Sequence, residues 1–328
     1  MIYNAGTLNI TDCVVTTNKG KQGGVIQNNG GDVTITASTL SVNVATVNGG
    51  VIDSQSGGSV AIINSTLYAN EGGDGGGVRN NGVLEITNST FTDNHASTLG
   101  GGVNNTGTAT LINVTFSDNS AYNGGGIFNG TSGGTVNFTN TIVANSNPGY
   151  DCYNDGGTIG TNINNLVEDY SWPAALAGDP SLGVLADNGG STQTHALLEG
   201  SPAIDAGNLA ACPGTDQRGI TRPQGEGCYI GAFEFWPTYA NFSANPLSGA
   251  APLEVYFDNN SQGVYDTCTW DFGDSKTSSQ CKDPQHTYTA VGDYTVSLTV
   301  EGIGGEDTRV GEEYIHVGTN IYLPLLKK

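Results

Sequence analysis

The stretch GGGVRNNGVLEITNSTFTDN, Gly75–Asn94, is one copy of a pattern that runs from the first residues to about Asn145. Glycine doublets at Gly23-Gly24, Gly49-Gly50, Gly76-Gly77, Gly101-Gly102 and Gly125-Gly126 mark the copies, and so do Asn18, Asn43, Asn70, Asn94 and Asn119. Equivalent positions recur every 24 to 27 residues. Each copy offers three apolar stations. The first carries Ile2, Val25, Val51, Val78, Val103 and Ile127. The second carries pairs two residues apart, Leu8/Ile10, Val33/Ile35, Val60/Ile62, Leu84/Ile86, Ala109/Leu111 and Val136/Phe138. The third carries Val15, Leu40, Leu67, Phe91, Phe116 and Val143. A spacing of two is that of a strand with one buried face. Three short strands joined by Gly and Asn turns cannot bury that face alone, but stacked coil on coil they can. The pattern therefore predicts a three-sided parallel β-helix in which each coil adds ~4.8 Å.

Polar positions stack in the same register. One file is Asn4, Gln27, Asp53, Asn80, Asn105 and Asn129, and a second runs from Asn18 to Asn119. Asn tolerates left-handed backbone, bonds its own turn, and can pair with an identical amide above and below. These files, and the Asn-X-Ser/Thr triplets at Asn64, Asn88 and Asn113, are read as turn structure rather than as a ligand row or glycosylation acceptors. Cys13 shares a file with Ser38, Ser65, Ser89, Val114 and Thr141, where a buried free thiol is expected. Cys152 lies about six coils away, on the order of 25–30 Å, out of disulfide reach of Cys13. The GG[VI] elements and the F-x-x-N elements at Phe91–Asn94 and Phe116–Asn119 resemble repeats of bacterial polymorphic outer-membrane proteins and related surface β-helix proteins.

Composition sets outer bounds. Asp and Glu number 31 against 10 Lys and Arg, a net charge of −21, which argues against nucleic acid and against an anionic membrane surface. Gly at 50 residues, with abundant Asn, Thr and Ser, points to an all-β chain. No apolar run reaches the ~18 residues of a membrane helix. Met1 is followed by neither a basic region nor an apolar run, so no signal peptide is read; because the first copy starts mid-coil, a truncated N-terminus is expected. Cys212 and Cys228 bracket one turn-rich loop and Cys268 and Cys281 another, and both pairs are expected as local disulfides of an oxidising, extracellular setting.

After Asn145 the repeat becomes irregular. Four divisions are expected: repeats at 1–149, a β-helical continuation or cap at 150–236, a β-sandwich at 238–318 and a tail at 319–328. Residues 178–234 resemble the choice-of-anchor Q domain through Asp179-Pro180, Ala186–Gly190, Thr194-His195, Gly200–Gly207, Asp216–Gly219, Arg222-Pro223 and Gly231–Glu234. That resemblance implies a secreted or cell-surface protein and no particular activity. Ala203-Ile204 and Tyr229-Ile230 look like strands continuing the helix, and Asp216, Arg218 and Arg222 like ion pairs pinning a loop. From Pro237 short alternating strands return. The run Trp270-Asp271-Phe272-Gly273-Asp274, with Ala251-Pro252-Leu253, His286-Thr287-Tyr288 and Gly292–Val300, resembles a polycystic kidney disease (PKD) domain, which implies an Ig-like sandwich serving as an extracellular spacer or weak binding module. The expected fold is thus a right-handed parallel β-helix followed by an Ig-like β-sandwich.

Candidate functional residues are few. Arg79 projects outward on a file with Tyr3, Ile26, Ile52, Asn104 and Phe128, which makes Arg79 and Phe128 the binding candidates. Asp93 and Asp118 stack ~5 Å apart. They and the pair Asp271/Asp274 are the metal candidates, with Ca2+ the ion that such hard oxygens would take. The turn-capping role of Asp271 and Asp274 is the simpler reading, and His195 reads as a structural hydrogen-bonder. No catalytic residue is assigned. A lyase needs a strong base beside acidic ligands and a hydrolase needs paired carboxylates on one face. The expected function is a non-enzymatic secreted or surface structural or adhesion protein, with cell-surface glycans or proteins as partners; the alternative is a polysaccharide lyase or hydrolase, or a fragment of one. The tail IYLPLLKK, Ile321–Lys328, suits a sorting or anchoring role and is too short to span a bilayer.

Overall fold

A computed structural model describes residues 1–319 apart from 132, 264 and 303, so the tail Ile321–Lys328 lies outside the described residues. The described chain is all-β; among the described residues the one helical element is a 3-10 turn, Leu209–Ala211. Two compact units divide it, Met1–Phe235 and Trp236–Lys328.

The first unit is a parallel β-solenoid of seven coils. Three seven-stranded parallel sheets run along it. Sheet one stacks Ile2–Asn4 through to Cys152–Asp155, sheet two Thr7–Thr11 through to Thr158–Ile163, and sheet three Val14–Thr16 through to Leu166–Val167. The solenoid thus extends one coil beyond the regular repeat. A shorter fourth sheet joins Lys19–Gly20, Val44–Ala45, Glu71–Asp74 and His95–Leu99. The second-station pairs Val33/Ile35, Val60/Ile62, Leu84/Ile86 and Val136/Phe138 all lie in the core, in register with one another. At the corners of sheet three the chain turns through left-handed residues, among them Asn64, Asn88, Asn113 and Asn140 on one side and Asp93 and Asp118 on the other.

One register differs from the glycine alignment. Ile26 and Ile52, not Val25 and Val51, pair with Val78 and Val103, so the outward file of sheet one reads Tyr3, Gln27, Asp53, Arg79, Asn104, Phe128 and Tyr153. The polar file correspondingly reads Asn4, Asn28, Ser54, Asn80, Asn105 and Asn129. Backbone bonds place Val51 beside Gly77, and Gly77 beside Gly102. The third glycine of the later coils therefore occupies a core position that valine fills in the earlier ones. A Cβ on Gly77 would lie 3.1 Å from Phe91, and one on Gly102 2.7 Å from Phe116. Where valine stands, the facing third-station residue is Leu40 or Leu67; where glycine stands, the Phe91 and Phe116 rings fill the room, 5.0 Å apart. Close packing allows this exchange of volume between facing positions.

The ladders close with short bonds. Asn18 Nδ2 donates to Asn43 Oδ1 at 3.0 Å, Asn43 to Asn70 at 3.0 Å, Asn70 to Asn94 at 2.9 Å and Asn94 to Asn119 at 3.0 Å. The hydroxyls of Ser38, Ser65 and Ser89 accept from the backbone N–H one coil below, each at 3.1 Å. Cys13, at the foot of that file, is exposed rather than buried, because the first coil has no neighbour on its outer side among the described residues. Cys152 is the buried free thiol, paired in sheet one with Ile127.

Beyond Val167 the chain does not continue the coil. It returns along the outer face of sheet three, with one antiparallel hairpin, Leu182–Ala186 against Thr194–Leu197. The strands expected at Ala203-Ile204 and Tyr229-Ile230 are turns and irregular backbone instead. Side chains of the solenoid take up this segment's backbone groups. Asn88 Nδ2 donates to Thr215 O at 2.8 Å, Asn113 Nδ2 to Tyr229 O at 3.0 Å, and Thr115 Oγ1 accepts from Ala232 N at 2.9 Å. With backbone satisfied laterally by side chains, no ladder is required. Asn88 and Asn113 are thereby buried.

The second unit is a sandwich of two sheets. Three antiparallel strands, Phe242–Asn245, Leu253–Asn259 and Gln285–Tyr288, form one. Five strands, including Thr267–Asp271, Gly292–Gly302 and Gly305–Gly318, form the other. Trp270 is fully buried between Phe242 and Phe257, with ring centroids at 5.4 and 5.5 Å, and its Nε1 donates to Gln280 O at 3.0 Å.

Candidate functional site

The outward face of sheet one carries Arg79, and the register shift gives it a partner. Its Nη1 lies 2.9 Å from Oδ1 of Asp53, one coil below, which is fully buried. Asn48 and Gln55 donate to the other carboxylate oxygen at 3.2 and 2.7 Å. Asp53 thus accepts from three side chains, and Arg79 neutralises a charge that would be costly if left unpaired. Phe128, two coils above Arg79, is only 5% exposed, its ring stacked almost parallel on Tyr153 at 5.9 Å. The pair therefore does not form one open binding surface.

Asp93 and Asp118 lie on the opposite corner, where the hairpin stands off sheet three. They line a cleft of about 560 Å³ together with Tyr68, Thr92, Ser117, Asn145 and His195. Both carboxylates are exposed and sit on left-handed turns, and Ser117 Oγ donates to Asp118 at 2.8 Å. His195 is held on two sides. Its Nδ1 meets the Gly183 carbonyl at 2.8 Å and its Nε2 the Thr92 hydroxyl at 2.9 Å. A carbonyl can only accept, so Nδ1 carries the proton and Nε2 accepts from Thr92. Burial pushes the imidazole pKa down, opposed by the Gly183 bond and by the nearby Asp118 carboxylate, and so favours this neutral form.

In the sandwich, Asp271 Oδ1 accepts from Gly273 N at 2.9 Å and Asp274 Oδ1 from Lys276 N at 3.2 Å, the side-chain turns that short polar residues make. Asp274 Oδ2 also pairs with His286 Nε2 at 2.9 Å, and that imidazole stacks on Phe272 at 4.2 Å. Among the described residues no group of three or more His, Cys, Asp or Glu side chains converges as a metal ion requires. Cys212–Cys228 and Cys268–Cys281 are both disulfides.

The returning segment holds the densest charge. Arg218 and Asp216 form a buried ion pair at 2.7 Å, and the guanidinium lies 3.6 Å above the Phe233 ring. Arg222 faces Glu234 at 3.5 Å, also buried, and its Nη2 donates to Gly231 O at 2.9 Å. Burial raises the Glu234 pKa, an effect opposed by Arg222. Asp216 accepts in addition from the backbone N–H groups of Arg218, Ile220 and Glu234. Apart from Arg222 Nε, which lies 3.5 Å from Glu234 without a hydrogen bond, the guanidinium donors point at this segment's own carbonyls, the Asp216 carboxylate and the disulfide sulfurs, so the cluster fastens the segment. Glu234 was not singled out as a partner of Arg222 in the sequence; its place in a buried aromatic run, Phe233-Glu234-Phe235, was the available sign.

Residues 240–317 match the family model described as the PKD domain. No curated protein matches the chain. Among solved structures, the PKD1 domain of Vibrio anguillarum Epp is 31% identical over 26% of this chain and 100% of its own length, with a TM-score of 0.22. A structure described in terms of the promiscuous specificity of carbohydrate-binding modules from the β-sandwich superfamily is 25% identical over 26% of this chain, with a TM-score of 0.24. The chain spans 36% of the length of that second structure. Sandwich topology, aromatic core and family match agree for this region: residues 240–317 of the chain are a PKD domain.

Proposed function

We propose that the protein is a non-catalytic extracellular display protein, a β-solenoid rod with a PKD module, that binds glycans at a surface. The observation that carries the non-catalytic part is the state of His195, which lines the same cleft as the exposed carboxylates Asp93 and Asp118. Its Nε2 lone pair is occupied by Thr92 and its Nδ1 proton is donated to Gly183. Two disulfides support an oxidising compartment. The net charge of −21 disfavours nucleic acid and anionic lipid as partners. No helix among the described residues is long and apolar enough to cross a membrane. The choice-of-anchor Q resemblance of residues 178–234 supports surface display in which this segment braces the rod. A bound Ca2+ at Asp93 and Asp118 would need further ligands from solvent or from the glycan.

A second reading, a carbohydrate-active enzyme, is favoured by one observation: Asp93 and Asp118 line the same cleft from adjacent coils, whose backbones lie ~5 Å apart, and a glycosidase needs two carboxylates on one face. Incubation of the intact protein with xylan, β-glucan and polygalacturonate, followed by assay of new reducing ends and unsaturated uronides, separates the two. No release above blank is expected. Release that is abolished in Asp93→Asn or Asp118→Asn would overturn the non-catalytic reading.

A further inference from the structure

The two disulfides differ in what surrounds the sulfur that an attacking thiol would displace. Each joins a half-buried cysteine, Cys212 or Cys281, to an inaccessible one, Cys228 at 0% or Cys268 at 3% exposure. A thiol arriving from solvent therefore attacks Cys212 or Cys281 and expels Cys228 or Cys268. The rate of such an exchange depends on access to the attacked sulfur and on how readily the leaving sulfur carries negative charge.

Cys228 has a positive charge beside it. Arg222 Nη1 lies 3.6 Å from Cys228 Sγ and 3.7 Å from Cys212 Sγ. The guanidinium is 1% exposed and its Nη2 donates to Gly231 O at 2.9 Å, so it is held in place. Glu234 balances it from the Nε side, its carboxylate also accepting from the backbone N–H of Gln224 and Tyr229 at 3.0 and 3.3 Å. Asn113 and Asn140 Nδ2 lie 3.8 and 4.0 Å from the same sulfur. Their N–H groups are committed to oxygens at 3.0 to 3.2 Å, so they add only the positive ends of their dipoles. A guanidinium stays protonated, and away from water it stabilises a thiolate formed next to it. The contact on Cys268 Sγ is a neutral amide, Asn259 Nδ2 at 3.9 Å. Lys282 adjoins Cys281, the sulfur that is attacked, not the one that leaves.

We propose that Cys212 is a site of covalent attachment by thiol–disulfide exchange, where the protein takes up a thiol-bearing partner. The incoming thiolate, its proton lost to solvent, forms an S–S bond with Cys212 Sγ. The Cys212–Cys228 bond breaks and its electron pair leaves on Cys228 Sγ, beside Arg222. The incoming sulfur is oxidised from thiol to disulfide and Cys228 is reduced to thiolate, so the protein's own disulfide is the oxidant and no other is consumed. The fold then keeps the two sulfurs on different supports. Cys228 stays fastened: its carbonyl accepts from Gly207 N at 2.6 Å, and Asn113 Nδ2 holds the next carbonyls, Tyr229 O and Gly231 O, at 3.0 and 3.1 Å. Cys212 is the C-cap of the short turn Leu209–Ala211, none of whose residues is buried. A small thiol and a cysteine of another protein offer the same sulfur chemistry to this site.

The test uses the full chain carrying Cys13→Ser, which removes the exposed free thiol. The folded protein is incubated with limiting glutathione or with a cysteine-containing peptide, trapped with N-ethylmaleimide at intervals and mapped by mass spectrometry. A mixed disulfide on Cys212 with a trapped thiol on Cys228 is expected, forming about tenfold faster than Cys268–Cys281 opens. In denaturant, where Arg222 no longer sits by the sulfur, that preference is expected to vanish. Arg222→Met is expected to slow the opening about tenfold, and Arg222→Lys, which keeps a charge, to slow it less. Adducts from the peptide as well as glutathione support the site and admit a protein partner; adducts from glutathione alone support it for small thiols. Opening of Cys268–Cys281 as fast as that of Cys212–Cys228, adducts on Cys228 instead of Cys212, or a preference that survives in denaturant overturns the proposal. So does a rate unchanged or raised in a folded Arg222→Met; should that variant not fold, the contrast between the two disulfides in the folded and denatured chain decides.

Discussion

The solenoid and the PKD domain are both built of strands with one buried face, yet they are held together differently. In the solenoid every partner is one coil away. Asn70 bonds Asn94, Asn94 bonds Asn119, Ser38 bonds Ser65, and each apolar station touches the same station above and below. Its cohesion is a sum of similar neighbour terms, as in other repeat architectures. In the PKD domain the partners are far apart in sequence and converge on one ring, Trp270, amid Phe242, Phe257 and Phe272. A lesion should therefore stay local in the first and spread through the second. The difference also bears on function. A coil can change its outward residue without disturbing the ladder, which suits the display role proposed above.

Four substitutions sharpen this contrast. The largest effect is expected from Trp270→Ala, which empties the centre of the sandwich and orphans the Gln280 carbonyl. A loss of about 4 kcal/mol is expected. Calorimetry should show the PKD transition lowered or gone, with the solenoid transition unmoved; a common shift of both would break the contrast. Next, Asp216→Asn leaves the buried Arg218 guanidinium with a neutral partner and should cost roughly 3 kcal/mol. Hydrogen exchange is expected to rise across residues 178–235 while the Asn ladder stays protected. Equal loosening in the coils would mean that the returning segment is part of the solenoid's cooperative unit.

Asn94→Ala is smaller and tests locality itself. It removes the acceptor for the backbone and side-chain N–H of Asn70 and the donor to Leu67 O, at about 2 kcal/mol. Exchange should quicken in the two coils flanking Asn94 and fade beyond them; uniform quickening over all seven coils would refute a nearest-neighbour rod. The last test is in pH. Burial raises the Asp151 carboxyl from 3.8 to about 6, with Ser146 bonds opposing and Asp169 reinforcing the shift. The folded state then binds this proton more tightly than the unfolded chain does. Its contribution to stability therefore falls as pH rises from about 4 to about 6, and the penalty remains above that. Asp151→Asn, which cannot ionise, should remove this component of the slope in urea midpoints measured across that window, apart from a constant offset for a lost acceptor. An unchanged slope would show that Asp151 does not titrate there.

Much of the rod was legible because its forces are local and repeated. The Asn18–Asn119 file, the serine file and the paired apolar stations of sheet two each stand in the structure as the spacing implied. Both cysteine pairs followed from their bracketing of turn-rich loops. The one-residue slip at sheet one was not legible from a glycine column, because Gly77 and Gly102 are core positions only by virtue of the Phe91 and Phe116 rings that fill their space. Arg79 was assigned uncharged neighbours for that reason, and its pairing with Asp53 appeared only with the true register. The returning segment was hidden for another reason. Its bonds to sheet three join residues more than a hundred positions apart, Thr92 with His195 and Thr115 with Ala232, and no periodicity records such contacts. Phe128 faces outward as its parity demands, but the irregular last coil covers it with Tyr153.

Whether the rod holds glycans without cutting them is tested most directly by electrophoresis of the native protein through gels cast with neutral polysaccharides and stained afterwards for intact polymer. A band retarded in at least one neutral glycan, over an undiminished stain, is the expected result. A cleared zone beneath the band, or mobility identical in every gel to that in polymer-free gel, would contradict it.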